Sequence, residues 1–212
     1  MTQQEALEIL KMGNNVFLTG AAGSGKTFLL NQYIRFLKSK RVGVGITAST
    51  GIAATHMGGR TIHSWCGIGI KDRLSKGDLR AMQEDETLAE RFSGTNVLIV
   101  DEISMLHSFR LDLVNHVCQT MKGNNLPFGG LQIILCGDFF QLPPVSRDSK
   151  INDFAYKSAA WQTMSIKICY LDEQHRQADV DFLGMLNYFR NDIIREDDFA
   201  LLSERMNAPA AS

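Results

Sequence analysis

What the 212-residue sequence has little of narrows its class first. Proline and cysteine are scarce, at four each. Cys66, Cys118, Cys136 and Cys169 are widely spaced among apolar neighbours, and no C-x-x-C pair suggests a zinc site or a redox couple. Buried, reduced thiols are the expectation. No apolar run approaches the ~18 residues that a membrane span requires. The opening Met1–Glu5 has neither the basic n-region nor the apolar h-region of a secretory signal, so an intracellular chain with no membrane partner is expected. Neither sign of charge dominates: 22 Lys and Arg stand against 23 Asp and Glu, a formal net charge of −1. Nucleic acid or membrane would therefore feel no bulk attraction, and any contact with a polynucleotide must come from local geometry. Repeats and low-complexity tracts are absent as well.

The hydrophobic residues, 44% of the chain, suffice for a real core. Thr2 and Glu5 have the spacing of a capping box ahead of Leu7 and Leu10, so a short helix is expected, closed at Gly13. Apolar strands are expected at 16–19, 42–47, 96–100, 132–136 and 166–171, with helices at 27–38 and 110–122 between them. Apolar strands alternating with helices predict an α/β fold, a mostly parallel sheet covered on both faces. Ligands of such sheets bind at the carboxyl ends of the strands. The stretch 71–92 breaks this rhythm with mixed charge and little β character, and reads as a small inserted subdomain or as a plain long loop.

Gly20-Ala21-Ala22-Gly23-Ser24-Gly25-Lys26-Thr27 matches G-x-x-x-x-G-K-[ST] between an expected strand and an expected helix. Gly20, Ala22, Gly23, Ser24 and Gly25 would wrap phosphate oxygens with backbone N–H groups, aided by the helix dipole. Lys26 would supply a charge to the β and γ phosphates, and the Thr27 hydroxyl would ligate Mg²⁺. Asp101 and Glu102 end a buried strand, where two acids are costly unless they face a cation or water. Asp101 can hold the metal, and Glu102 can deprotonate an attacking water, which points to nucleotide hydrolysis rather than transfer. Gln141, just past another strand, could sense the γ phosphate. Arg176 could reach it as a permanent cation.

Together these residues resemble the Pif-type (petite integration frequency) DNA helicases, RecD-like members of helicase superfamily one. The matching blocks run from Asn15 through the phosphate loop, then Thr47–Ala54, Gly58–Ser64, Val100–Met105, Pro127–Gln132, Gly137–Val145, Leu171–Gln177 and Phe182–Arg190. The resemblance implies a RecA-like P-loop NTPase domain, the first motor domain of a helicase that uses ATP and Mg²⁺ to track single-stranded DNA 5′ to 3′, cytoplasmic or nucleoid-associated. It implies that Gln3 (or Gln4) reads the adenine, and that 71–92 is a wedge-type subdomain. By the same resemblance Thr50, Gly51, His63 and Ser64 touch the single strand, where hydroxyls and helix-start amides can hold phosphates without net positive charge. Trp65, Phe139 or Phe140 could stack on a base, although core burial is the stronger expectation for all three.

The resemblance also implies a second motor domain as partner, with a further arginine that completes the ATP site. No later motif of that kind is present, so an excised fragment is expected in preference to a natural stand-alone relic, monomeric and binding Mg-ATP without unwinding DNA. Two alternatives stand beside this reading. One is a generic P-loop ATPase of loader or chaperone type. The other is a non-catalytic single-strand-binding module.

Overall fold

The computed structural model describes residues 1–145 and 153–172, together with residues 184, 185, 188, 190 and 193. Six strands form one sheet: β1 (Val16–Gly20), β2 (Val44–Ala48), β3 (Arg60–Thr61), β4 (Val97–Asp101), β5 (Gln132–Cys136) and β6 (Lys167–Leu171). Their order is β3-β2-β4-β5-β1-β6, and every pairing is parallel. The α/β class expected from the alternating pattern is thus present.

Burial on both faces explains why the central strands β1, β4 and β5 read as continuous apolar runs. Val16 and Leu18 of β1, Val97 and Ile99 of β4, and Ile134 and Cys136 of β5 belong to one hydrophobic cluster. That cluster is closed by α1 (Gln3–Lys11) and α2 (Lys26–Ser39), through Leu10, Leu30 and Tyr33. The intervening residues, Phe17, Leu98, Val100, Ile133 and Leu135, point into the other cluster. Its cover is α7 (Ser108–Lys122), contributing Leu111, Val114 and Val117, and α8 (Ala159–Thr163), contributing Ala160. The period of two along β1, β4 and β5 therefore splits each apolar run between two cores, whereas β6, at the sheet edge, buries Cys169 and Leu171 and exposes Ile168 and Tyr170.

Thr2 caps α1 in a complete capping box with Glu5, and Gly13 follows with a positive φ of 80°. β2 begins at Val44 rather than at 42, because the Val42 N–H is spent on Leu37 O at 2.9 Å, closing α2. Two short helices, α3 (Gly51–His56) and α4 (Ile62–Trp65), flank β3. None of these three is long enough to show a period, so the sequence pattern passes over them.

The stretch 71–92 holds α5 (Lys76–Glu84), opened by a Ser75–Asp78 capping box, and α6 (Glu86–Ser93), capped by Asp85. Both are amphipathic, and Met82, Leu88 and Phe92 join the cluster shared with α7 and the sheet. Phe92 packs on Trp65 with ring centroids 4.7 Å apart, and burying such a ring is worth about 1.5–3 kcal/mol. A plain loop could not bury these side chains on one face.

Candidate active site

The carboxyl ends of β1, β4 and β5 converge on one cleft of about 400 Å³. Its first wall is the loop from Gly20 to Thr27. Gly20 has φ +150°, and a Cβ there would lie 2.6 Å from Leu171 O and 2.7 Å from Ser24 Oγ. Only glycine lets the loop leave the sheet so close to β6. Gly25, at φ 85°, occupies the N-cap of α2, which has no side-chain cap and no acidic residue in its first turn. The first N–H groups of a 14-residue helix are thus left unspent, with the positive end of its dipole toward the cleft.

Lys26 Nζ donates to Gly20 O at 2.8 Å and Ala21 O at 3.0 Å, folded back across the loop it would release for a ligand. Gln3 Nε2 donates to Ser24 O at 3.4 Å, which brings α1 to the loop. Ser24 Oγ is buried without a hydrogen-bond partner. Ala22, Gly23 and Thr27 line the cleft with Lys26, and Phe28 adds a half-exposed apolar wall.

Across the cleft, Asp101 ends β4 and is buried. Its carboxylate accepts the Glu102 N–H at 2.9 Å and a bond from the Cys136 thiol, which burial and this neighbour push well above its usual range. Glu102 has left-handed backbone, φ 54° and ψ 43°, a conformation uncommon outside glycine. The end of β2 holds it there: Ser49 N donates to Asp101 O at 3.0 Å and Ser49 Oγ to Glu102 O at 2.7 Å. Burial raises the Glu102 pKa, Asp101 and Asp138 raise it further, and Lys26 opposes them. A carboxyl raised in this way is a better base than an ordinary glutamate, which suits proton abstraction.

Thr27 and Asp101 share the wall of an adjoining cleft of about 710 Å³ with Glu102 and Gln141. A hydroxyl and a carboxylate are hard oxygen donors, and among the described residues no group of three or more His, Cys, Asp and Glu could hold a metal alone. That donor set fits Mg²⁺, which keeps waters and takes phosphate oxygens to complete its shell.

The third strand end brings Gln141, together with two residues to which the sequence reading assigned no role. Asp138 is 1% exposed. Arg190 forks onto it, Nη1 to Oδ2 at 2.6 Å and Nη2 to Oδ1 at 2.9 Å. The same carboxylate accepts Gln141 Nε2 at 3.1 Å and the Phe140 N–H at 3.1 Å. These bonds hold the Asp138 carboxyl below its ordinary range even though burial works the other way. Asp138 was findable, since it follows a buried strand as Asp101 ends one. Arg190 was not, because 52 residues separate it from its partner. Arg176 lies outside the described residues.

The residues assigned to a nucleic-acid strand fall in two places. Thr50 caps α3 through Ala53 N, with Gly51 as the first helical residue, and Thr50 lines the 710 Å³ cleft. His63 and Ser64 lie in α4 beside another cleft of about 620 Å³ that includes Arg110. Burial and then Arg110 lower the His63 pKa, disfavouring its charged form. Among the aromatics, Trp65 is buried against Phe92, and Phe139 is partly buried, packed among Phe17, Phe154, Tyr156 and Trp161. Phe140 departs from the expected burial and is 73% exposed. A tight turn, with Gln141 N on Asp138 O at 2.9 Å, carries its ring out of the core.

Comparison with known proteins follows the same outline. The family model described as PIF1-like helicase matches residues 3–191. The chain is 54% identical over 201 residues to the ATP-dependent DNA helicase Pif1 of Psychrobacter sp. (strain PRwf-1), covering 91% of this chain and 30% of that protein. It is 42% identical over 196 residues to the ATP-dependent DNA helicase PIF1 of Saccharomyces cerevisiae, covering 89% of this chain and 22% of that protein. Among solved structures, Pif1 helicase from Candida albicans superposes with a TM-score of 0.91 at 37% identity, covering 99% of this chain and 48% of that one. Pif1 from Bacteroides in complex with ADP-AlF3 and single-stranded DNA superposes with a TM-score of 0.86 at 32% identity, over 99% of this chain and 50% of that one. The chain thus spans under a third of these two curated relatives and about half of the solved chains.

Proposed function

Because the chain belongs to the PIF1-like helicase family, we propose that it forms the ATP-binding and ATP-hydrolysing motor half of a DNA helicase acting on single-stranded DNA. The observation that carries this reading is one cleft in which Lys26 and the unspent N–H groups of α2 face Glu102 and Gln141.

The triphosphate would settle on the loop amides of residues 22–27, and Lys26 would leave the Gly20 and Ala21 carbonyls for the β and γ phosphates. Thr27 and Asp101 would hold Mg²⁺, which when bound supplies charge stabilisation to the phosphates. Glu102 would accept the proton of the attacking water, its strained backbone fixing where the carboxylate points. Gln141 would orient that water or sense the γ phosphate. Gln3, beside Ser24, would read the base.

Thr50, Gly51, His63 and Ser64 would take the DNA strand, moving 5′ to 3′, with a second motor domain closing over the cleft and α5 and α6 acting as the wedge. A cation supplied across such a cleft is worth about 10³–10⁵ in rate in related phosphate chemistry. The 212-residue polypeptide alone is therefore expected to bind Mg-ATP, turn it over slowly and unwind nothing.

A titration with fluorescent ATP and Mg²⁺ tests the reading. Lys26→Ala should weaken binding by about 10²-fold or more, as loss of a charged partner to phosphate implies. Unchanged affinity would place the nucleotide elsewhere.

A further inference from the structure

The phosphate loop, Asp101, Glu102 and Gln141 use three strand ends of the sheet, yet the most heavily bonded carboxylate of the cleft, Asp138, has no part in that chemistry. We propose that Arg190 is a positioning residue for hydrolysis: acting through Asp138, it sets the Gln141 side-chain amide so that its carbonyl oxygen is the acceptor offered to the cleft. The inference rests on the cleft taking ATP, and it names what holds Gln141 in place there.

Asp138 is nearly fully buried and receives four donors: two from Arg190, one from the Phe140 backbone and one from Gln141 Nε2. A glutamine amide can bond by either end. An ionised carboxylate accepts only, so it selects the NH₂ end of Gln141 and leaves the carbonyl oxygen unengaged. That selection holds only while Asp138 stays ionised, and Arg190 is the cation that keeps it so. Without the guanidinium, Asp138 would face Glu102 and its own burial with only the two neutral donors, Gln141 and Phe140, to offset them. A protonated Asp138 becomes a donor and can take the carbonyl end of Gln141, turning the amide over.

The fork also suits arginine specifically. Two parallel N–H···O bonds fix the carboxylate plane, which a single ammonium cannot do. The guanidinium in turn sits 4.5 Å from the centroid of the Phe140 ring, so the cation, the turn 138–141 and Gln141 form one braced unit.

A double-mutant cycle separates positioning from simple bracing. Affinities for Mg-ADP and for Mg-ADP with aluminium fluoride are measured for the full chain, Arg190→Gln, Arg190→Lys, Gln141→Ala and the combined variants. Arg190→Gln should leave ADP affinity within about twofold and lower the preference for the aluminium fluoride complex by about tenfold, the usual size of an effect passed through one intervening group. That loss should vanish once Gln141 is alanine, and Arg190→Lys should restore part of it. Equal losses in both backgrounds, or an unchanged preference, would overturn the proposal while leaving the nucleotide site intact. No Lys26-dependent binding in the unsubstituted chain would instead remove the reading beneath it.

Should Arg190→Gln fail to fold, the unsubstituted chain still decides. One side-chain amide proton of Gln141, assigned by its loss in Gln141→Ala, should exchange slowly and resonate downfield of solvent-exposed glutamines. A free-glutamine signal would overturn the assignment.

Discussion

At the scale of single residues, two charges of the cleft are held in opposite ways, one satisfied and one disfavoured. Lys26 rests on two carbonyls of its own loop, and Glu102 sits on left-handed backbone with its ionised form disfavoured by burial and by two neighbouring acids. Such arrangements persist where surrounding structure enforces them. Glu102→Gln should keep nucleotide binding and lower turnover by about 10²–10⁴-fold, the range for loss of a general base, measured in single-turnover assays. Its stability effect has a definite sign. A carboxyl whose folded pKa is raised costs stability above that pKa, and costs nothing below the unfolded value near 4.5, where both states are protonated. Glu102→Gln should therefore raise Tm at pH 7 to 8 and lose the gain below about pH 4. Each ~1 kcal/mol is worth about 2–4 °C in a domain of this size. The acid limb of the wild-type turnover profile should lie above the range of an ordinary glutamate. Residue identity announced Lys26, Thr27, Asp101 and Glu102 through spacing, whereas Asp138 and Arg190 are ordinary residues until the fold sets one against the other.

At the scale of elements, the candidate site depends on how closely β6 passes the glycine-rich loop 20–27. Gly20→Ala places a methyl against Leu171 O and Ser24 Oγ, and the positive φ adds roughly 1–3 kcal/mol of strain. The urea midpoint should fall and nucleotide affinity with it. Gly51→Ala is the control, since nothing lies within 4 Å of a Cβ there, and its midpoint should stay within about 0.5 kcal/mol of the parent. Long elements were legible because α1, α2, α7 and the strands repeat their apolar period several times. The helices α5 and α6 were not resolved from a loop, since each carries few apolar residues and completes its face only against α7. Strand β3, two residues long, has no period to display.

At the scale of the whole molecule, a net charge of −1 predicts how the chain meets a polynucleotide. The strand contacts assigned to Thr50, Gly51, His63 and Ser64 are polar or neutral, and few cations would be released. The affinity of the 212-residue chain for single-stranded DNA should be weak, with a slope of log K against log salt of about −1 to −2. A slope near that of a protein making 6–10 phosphate contacts, roughly −5 or steeper, would reveal a basic track these residues do not form. A 5′-tailed duplex should stay intact with this chain and ATP, as a strand-displacement assay would read. The sequence by itself determined the α/β class, the glycine-rich loop 20–27 between strand and helix, and the paired acids, because apolar period and motif spacing are local properties carried by neighbouring residues. The strand order, the close passage of β6, the exposure of Phe140 and the pairing of Asp138 with Arg190 were decided only by tertiary structure. Each depends on which distant segments end up in contact, and that is settled by packing two cores against one sheet.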